Sequence, residues 1–444
     1  MAKRELAGWG RLPVPGIEVR SEDLASVARG RTLTRGLGRS YGDASLPPPG
    51  VEEVAGSRLA DRMLAFDPST RVLRAEAGLS LRVLLAWAAE RLLWVPAVPG
   101  TSFVTLGGMF AADVHGKSHH SDGSFGRHVR SLRILLAGHE IVDCDRERNA
   151  DLFRATLGGM GLTGHVLEVE LTLQSIPSRW LVEEWSRYDD LDALVAALRG
   201  AAAEWPYTVA WLDALATGSG LGRGIVYRGR WAAPSEAPAG LPSPRGRLRF
   251  PFDAPGFFLS RPAVAAFNAA LFATAPRAPR RRLVGPDRFF HPLDAVEDWN
   301  RMYGRSGFTQ HQCVLPEGER PGATRRFLEA MTRLGGASFL SVLKDFGDEG
   351  EGILSFPRRG VTVTVDLPVR AATPGIVARL NETVIAEGGR VYLAKDAFTT
   401  AAEFARMEPR LPAFLAVKRK WDPDWRLESA QSRRLFGRGE GAAV

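Results

Sequence analysis

Six glycines, Gly100, Gly107, Gly108, Gly116, Gly123 and Gly126, punctuate residues 96–130, PAVPGTSFVTLGGMFAADVHGKSHHSDGSFGRHVR. No other stretch restricts the fold as much, because a backbone this rich in glycine makes sharp turns and close approaches that a Cβ would block. Four of the chain's eight histidines, His115, His119, His120 and His128, share the stretch with Asp113 and Lys117. Free amides beside imidazoles and an ammonium suit an anionic ligand, since backbone N–H groups and cations both favour phosphate. A long polar surface loop has the same composition, so the run needs a companion before it means more.

That companion is TRGLGRSYGD, residues 34–43, which follows a short strand-like segment. Its pattern, R-G-x-G-x-S-x-G-D, places glycines at alternating positions, so successive amides can face one side and form a nest for a pyrophosphate. It lacks the G-x-G-x-x-G helix opening of a Rossmann site and the G-K-[ST] ending of a P-loop.

A chain of 444 residues exceeds one ordinary core and implies roughly two or three domains. It holds no run of about 18 apolar residues, so no membrane span is expected. The opening MAKRELAGWG lacks the apolar core of a signal peptide, and the expected location is cytoplasmic or peripheral on the cell membrane. Two cysteines, Cys144 and Cys313, are too few for a disulfide framework or a thiolate metal site and read as small buried side chains. No metal site is expected: the adjacent side chains of His119 and His120 diverge, and no other ligands stand at the right spacing.

The net charge of +8 is uneven, with Arg277 and Arg280 to Arg282 in one cluster and Lys418 to Lys420, Arg433, Arg434 and Arg438 near the C-terminus. Such clusters form solvated faces or meet anionic lipid; without a binding module they do not imply nucleic acid.

In chain order, RTLTRG, RMLAFD and RVLRAEAG read as short strands, and residues 79–93 as a helix with Ser80 at its N-cap. A helix follows at 151–157 and an alternating strand over HVLEVELTLQ. Beyond a boundary near Ser178, helices are expected at 189–203, 323–334 and 373–387. Strands are expected at 207–213, 224–231, 309–315, 339–344 and 361–367, the last alternating as VTVTVDL. Residues 232–251, rich in proline, read as a loop, and 257–283 resist assignment.

Residues 35–43, PGT (99–101), TLGG (105–108) and LFRATLGGMGLTGHVLEVEL (152–171) resemble the pyrophosphate loop, second glycine region and closing strand of the vanillyl-alcohol-oxidase, or PCMH-type, FAD-binding superfamily. Within it, seven segments resemble, in order, the flavoprotein subunits of decaprenylphosphoryl-β-D-ribose 2'-epimerase. They are GWGR (8–11), RGLGRSYGD (35–43), DVHGKSHH (113–120), GSFGRHVRS (123–131), FFHPLDAVEDWNRMYG (289–304), GFTQHQ (307–312) and YLAKD (392–396).

The resemblance implies an α+β, two-domain fold: an FAD domain over 1–177, completed by 391–444, and an antiparallel-sheet substrate cap over 178–390. It assigns FAD binding to the first loop, Arg35, Gly36, Leu37, Gly38, Arg39, Ser40, Tyr41, Gly42 and Asp43. The second region adds Gly100, Thr105, Leu106, Gly107 and Gly108, and the ring environment adds Ala112, Asp113, His115, Val166 and Tyr392. Related sugar oxidases often carry histidine where Arg39 stands and join FAD through it; arginine cannot, so the FAD is expected to be non-covalent, with Arg39 meeting phosphate or a carboxylate.

Oxidising a carbinol needs a C–H aimed at the flavin and a group to receive the hydroxyl proton. Lys395 is the first choice, through burial or by stabilising negative charge, then Tyr41 on the phosphate loop, with His115 in a positioning role. Gln310 and Gln312 alternate on a strand and face one side. With Lys344 and Trp211 they resemble a pentose-recognition set, and Lys117, on the loop expected beneath the isoalloxazine, is expected to meet substrate. Phe290 and Thr364 stand where the nearest family members have tyrosine and cysteine, so one hydroxyl and one thiol are expected to be missing from the pocket.

The implied reaction is oxidation of a sugar secondary alcohol, foremost the 2'-hydroxyl of decaprenylphosphoryl-β-D-ribose, to the 2'-keto intermediate of arabinan precursor synthesis. The implied partners are the polyprenyl-phosphate sugar substrate, a separate NAD(P)H-dependent keto-reductase and a peripheral membrane contact. The alternatives are a soluble alditol or aldonolactone oxidase and a flavin-binding protein without turnover.

Overall fold

The computed structural model describes residues 5–243, 246, 248–316, 321–335, 338 and 340–437; Phe339 and Arg438 lie outside them. The N-terminal part contains, after an antiparallel pair of short strands at Glu5–Ala7 and Pro13–Pro15, a parallel three-stranded sheet of β1 (Ile17–Arg20), β2 (Thr34–Arg35) and β3 (Glu53–Gly56), in the order β1-β3-β2. β4 (Met63–Asp67), β5 (Val72–Glu76), α1 (Leu81–Glu90) and α2 (Leu106–Ala111) follow. Then come β6 (Val129–Leu135), β7 (Ile141–Asp145), α3 (Ala150–Thr156) and β8 (His165–Thr172). The five strands β4 to β8 make one antiparallel sheet in the order β7-β6-β8-β5-β4.

α1 forms because Leu81, Leu84, Leu85 and Ala88 share one helical face and are buried together. Ser80 stands at its N-cap position but makes no side-chain cap bond; its backbone pairs with Thr105 instead. Thr105 is the residue that caps, accepting from Gly108 N at the start of α2.

The second large sheet takes β9 (Leu181–Tyr188), β10 (Tyr207–Leu212), β11 (Gly224–Trp231), β12 (Arg280–Val284), β13 (Phe308–Leu315), β14 (Ser341–Phe346), β15 (Gly360–Pro368) and β16 (Arg390–Val391). Their order is β12-β9-β11-β10-β14-β15-β13-β16, and every pairing is antiparallel.

Helices α4 (Leu191–Ala201), α6 (Ala323–Arg333) and α7 (Thr373–Ala386) cover one face of this sheet, α5 (Arg261–Thr274) lying elsewhere. On the covered face Ala210, Leu343, Val363 and Cys313 pack against Leu194, Phe327 and Leu380. The opposite face follows from the same register. Trp211 stands opposite Val342, Val342 opposite Thr364 and Thr364 opposite Gln312, so these four share one side.

Two expectations are corrected here. Residues 257–283 contain α5 and β12. Pro262 sits in the first turn of α5, where a missing N–H costs nothing, and β12 is an arginine-rich edge whose Arg281 and Arg282 pair with Glu184 and Glu183 at 2.7 and 2.5 Å. Lys418, read as part of a solvated cluster, is fully buried, donating to Leu162 O, Asp422 Oδ2 and Leu427 O.

The tail carries α8 (Ala401–Met407), α9 (Leu411–Trp421) and α10 (Ala430–Phe436), and on its way passes the first glycine loop. Tyr41 N donates to Ala394 O at 2.9 Å. Arg434 of α10 bridges Asp43 at 2.6 Å and Asp396 at 2.9 Å. At Gly42 an added Cβ would stand 1.9 Å from Asp396 O, which no side-chain rotation relieves. Among the described residues no helix is long and apolar enough to cross a membrane. Gly42→Ala therefore loses ~2 to 3 kcal/mol of stability by overpacking, read as a lower urea midpoint; an unchanged midpoint contradicts this close approach.

Candidate active site

A cavity of about 610 Å³ lies between the two glycine regions and the face of the eight-stranded sheet opposite α4, α6 and α7. Gly36, Leu37, Gly38, Arg39, Ser40 and Tyr41 line it from the first loop, and Gly100, Thr105, Gly107 and Gly108 from the second. Ala112, His115, Val166 and Tyr392 extend this floor; Gln310, Gln312, Lys344, Thr364 and Lys395 face it.

The loop geometry has a local cause. Gly38 has φ +63°, and a Cβ there would meet the Arg35 guanidinium at 2.1 Å. Arg35 fills that space and braces the loop from behind, donating to Ala7 O at 2.6 Å and to Ser45 O at 3.0 Å. Gly36 approaches Thr105 so closely that a Cβ would lie 2.5 Å from its hydroxyl, which joins the two regions into one bare-backbone floor. Arg39 stands 4.1 Å over the Trp9 ring, and Lys344 and Lys395 bring two more cations to the walls. Such a hollow fits an anionic dinucleotide: backbone presses close, and Arg39, Arg249, Lys344 and Lys395 stand against the three lining carboxylates Asp294, Glu297 and Asp298.

Lys395 Nζ lies 3.7 Å from the centre of the Tyr41 ring. Burial lowers its ammonium to about 7, with Asp366 opposing that shift and Lys344 adding to it. Lys344 is lowered by burial to about 8. Asp366 is fully buried and raised by desolvation to about 6, although Tyr303 and Gln310 both donate to it, at 2.6 and 2.5 Å. Burial also pushes the Tyr41 phenol well above its ordinary value, so Tyr41 remains a proton donor.

Gln312 donates to His115 Nε2 at 2.9 Å, which assigns the imidazole proton to Nδ1, and among the described residues that atom meets no hydrogen-bond partner. Phe346, Phe356 and Tyr392 enclose the ring. Burial, then the charges of Lys344, His119 and Lys395, hold the imidazole well below its ordinary value, so it is neutral and serves to orient Gln312.

Eight residues expected at the site do not line the cavity. Arg35, Gly42 and Asp43 hold the first loop from outside, for the steric and ionic reasons above. Leu106 points into the apolar core. Asp113 is buried at the end of α2, accepting from the Ser124 and Ser355 hydroxyls at 2.9 and 2.5 Å. Lys117 turns away to donate to Phe289 O, 4.2 Å from that ring, and burial lowers it to about 7. Trp211 is on the cavity side of the sheet but packs with Ile225, Leu271 and Phe272, the last two from α5. Phe290 stacks on Trp94 at 5.4 Å within an aromatic cluster, so a hydroxyl missing there is not missing from the cavity.

Asp366 and Tyr303 were missed by the sequence reading. The alternation VTVTVDL places Thr362, Thr364 and Asp366 on one side of β15, so the carboxylate was readable as a neighbour of Thr364. Tyr303 reaches it only through tertiary packing: its ring stacks on Phe308 at 4.0 Å.

Comparison with known proteins agrees with this geometry. Residues 23–145 match the family described as "FAD binding domain". The chain is 36% identical to decaprenylphosphoryl-β-D-ribose oxidase of Mycolicibacterium smegmatis, over 97% of each chain. It is 34% identical to an uncharacterised protein of Streptomyces coelicolor over 77% of this chain and 95% of that one. Similarity to L-gulonolactone oxidase of Mus musculus, at 30% identity, covers 28% of this chain and 27% of that enzyme. The chain belongs to the decaprenylphosphoryl-β-D-ribose oxidase family of FAD-binding proteins.

Proposed function

We propose that the chain oxidises the 2'-hydroxyl of a polyprenylphosphoryl ribose, foremost decaprenylphosphoryl-β-D-ribose, to the 2'-keto sugar. The observation that carries this reading is Lys395, buried and lowered to about 7, set against Tyr41 where the glycine-lined floor meets the amide-bearing strand β13. Bound non-covalently in the cavity, FAD supplies the hydride acceptor. The carbinol carbon gives up its hydrogen with the bonding pair, and Lys395 Nζ, in its neutral form, takes the hydroxyl proton. Tyr41 donates a hydrogen bond toward the same oxygen. Gln310 and Gln312 offer amides to the remaining sugar hydroxyls, and Lys344 offers a cation to the lipid phosphate.

In this reading residues 1–177 with 391–444 form the FAD domain and 178–390 the substrate cap. A separate NAD(P)H-dependent reductase returns the ketone to an alcohol of opposite configuration, and the polyprenyl tail brings the chain to a membrane surface. The soluble alternative, an alditol or aldonolactone oxidase, has only partial relatives in its support.

Anaerobic mixing tests the reading. Polyprenylphosphoryl ribose should bleach the flavin absorbance, whereas free alditols and aldonolactones should not; bleaching by the free polyols alone would reverse the assignment. Bleaching should accelerate as pH rises through about 7, where Lys395 loses its proton. Asp366 raises that value, so Asp366→Asn should move the rising limb to lower pH by roughly one unit. A limb that stays in place would separate Asp366 from Lys395.

A further inference from the structure

Residues 248–283 contain six phenylalanines, six arginines and a single carboxylate, Asp253. Their arrangement is unusual for a surface. Phe257 and Phe258 stack with ring centroids 4.5 Å apart, yet are 65% and 52% exposed. Leu248 and Phe252 nearby are 73% and 52% exposed. The helix that follows, α5, buries only Val264 and Asn268. Its outward positions, Pro262, Ala265, Ala266, Ala269, Ala270 and Ala273, carry no charge, where a solvated helix face is normally charged and polar. Exposed arginines, Arg261, Arg277 and Arg280, stand at the ends of this apolar face.

The patch borders the cavity. Leu259, next to the phenylalanine pair, is buried with Tyr41, Trp299, Tyr303 and Phe308. Leu248–Arg249 pairs with Val296–Glu297, and Arg249, Val296 and Glu297 line the cavity mouth.

We infer that this face docks on an anionic phospholipid bilayer, Phe257 and Phe258 entering the headgroup layer while Arg261, Arg277 and Arg280 meet lipid phosphates. An apolar wedge flanked by cations is the composition that binds such an interface; Arg249, Arg281 and Arg282 are taken up by Asp298, Glu184 and Glu183, and exposed Arg261 and Arg280, with Arg277 at 3.9 Å from Asp189, fit its negative potential. A second copy of the chain is the poorer occupant, since it would bring two faces of the same charge together. The choice of bilayer also rests on the proposed polyprenyl substrate, which would reach the cavity mouth from that surface.

The FAD-loaded protein is sedimented at low salt with vesicles of phosphatidylglycerol and phosphatidylcholine, and with vesicles of phosphatidylcholine alone. Wild type should bind the anionic vesicles and lose roughly tenfold or more in affinity when phosphatidylglycerol is omitted or salt is raised. The Phe257→Ser, Phe258→Ser double variant, which keeps the wild-type flavin spectrum because both rings are exposed, should lose roughly tenfold or more. In Phe257→Trp, tryptophan emission should shift to the blue on adding anionic vesicles. Three results would overturn the inference: no binding by wild type at low salt, binding by the double variant equal to wild type, or unshifted emission from Trp-substituted protein that sediments. Self-association abolished by the double serine change, without vesicle binding, would assign the face to a second copy instead. No sugar is present, so failure of the proposed oxidation leaves these readouts untouched.

Discussion

The contact between the first glycine loop and the segment from Tyr392 to Asp396 is the constraint on which the rest depends. A glycine at position 42 lets Asp396 O approach to a distance that a methyl group would occupy, and Tyr41 N closes the contact on Ala394 O. This contact sets a phenol from the start of the chain against an ammonium from near its end, 3.7 Å from ring centre to Nζ. Arg434 locks the same junction with charge, from a helix that is later still in sequence. The tail is thus part of the site's construction, and the two glycine regions have a fixed partner to close against.

The buried charges around the cavity explain why such a site costs stability. Lys344, Lys395 and Asp366 are all removed from water, and desolvation moves each toward its neutral form, to about 8, 7 and 6. The cavity is lined by four cations, Arg39, Arg249, Lys344 and Lys395, and three carboxylates, Asp294, Glu297 and Asp298, and the two buried lysines favour further negative charge beside them. An anionic cofactor and a phosphorylated substrate would supply it, stabilising the folded chain by mass action as they bind. The same desolvation keeps Lys395 able to exchange a proton near neutrality, which an exposed lysine would not do.

Much of this was legible in the sequence, and the parts that were not share a cause. Glycine spacing at 36, 38, 107 and 108 marks bare backbone directly, because nothing else in a chain allows two loops to approach so closely. The alternation of VTVTVDL and of Gln310 and Gln312 gave strands and faces together. The direction of a side chain off a loop is set by whatever packs beside it, so Lys117, Phe290 and Arg35 turned to Phe289 O, Trp94 and Ala7 O instead of the cavity. α5 escaped notice because its exposed side is as apolar as its buried one, leaving no periodic signal to read. Asp366 was visible in the pattern, but its importance comes from Tyr303, Gln310 and Lys395, which meet only in the folded chain.

The visible absorption of the purified protein tests the account most directly. If the two glycine regions form one floor for FAD, the protein should be yellow or become so on adding FAD, bleach with dithionite, and release all its colour to the supernatant on denaturation. A colourless protein that takes up no FAD would contradict the account, and colour retained on the denatured polypeptide would contradict the part assigned to Arg39.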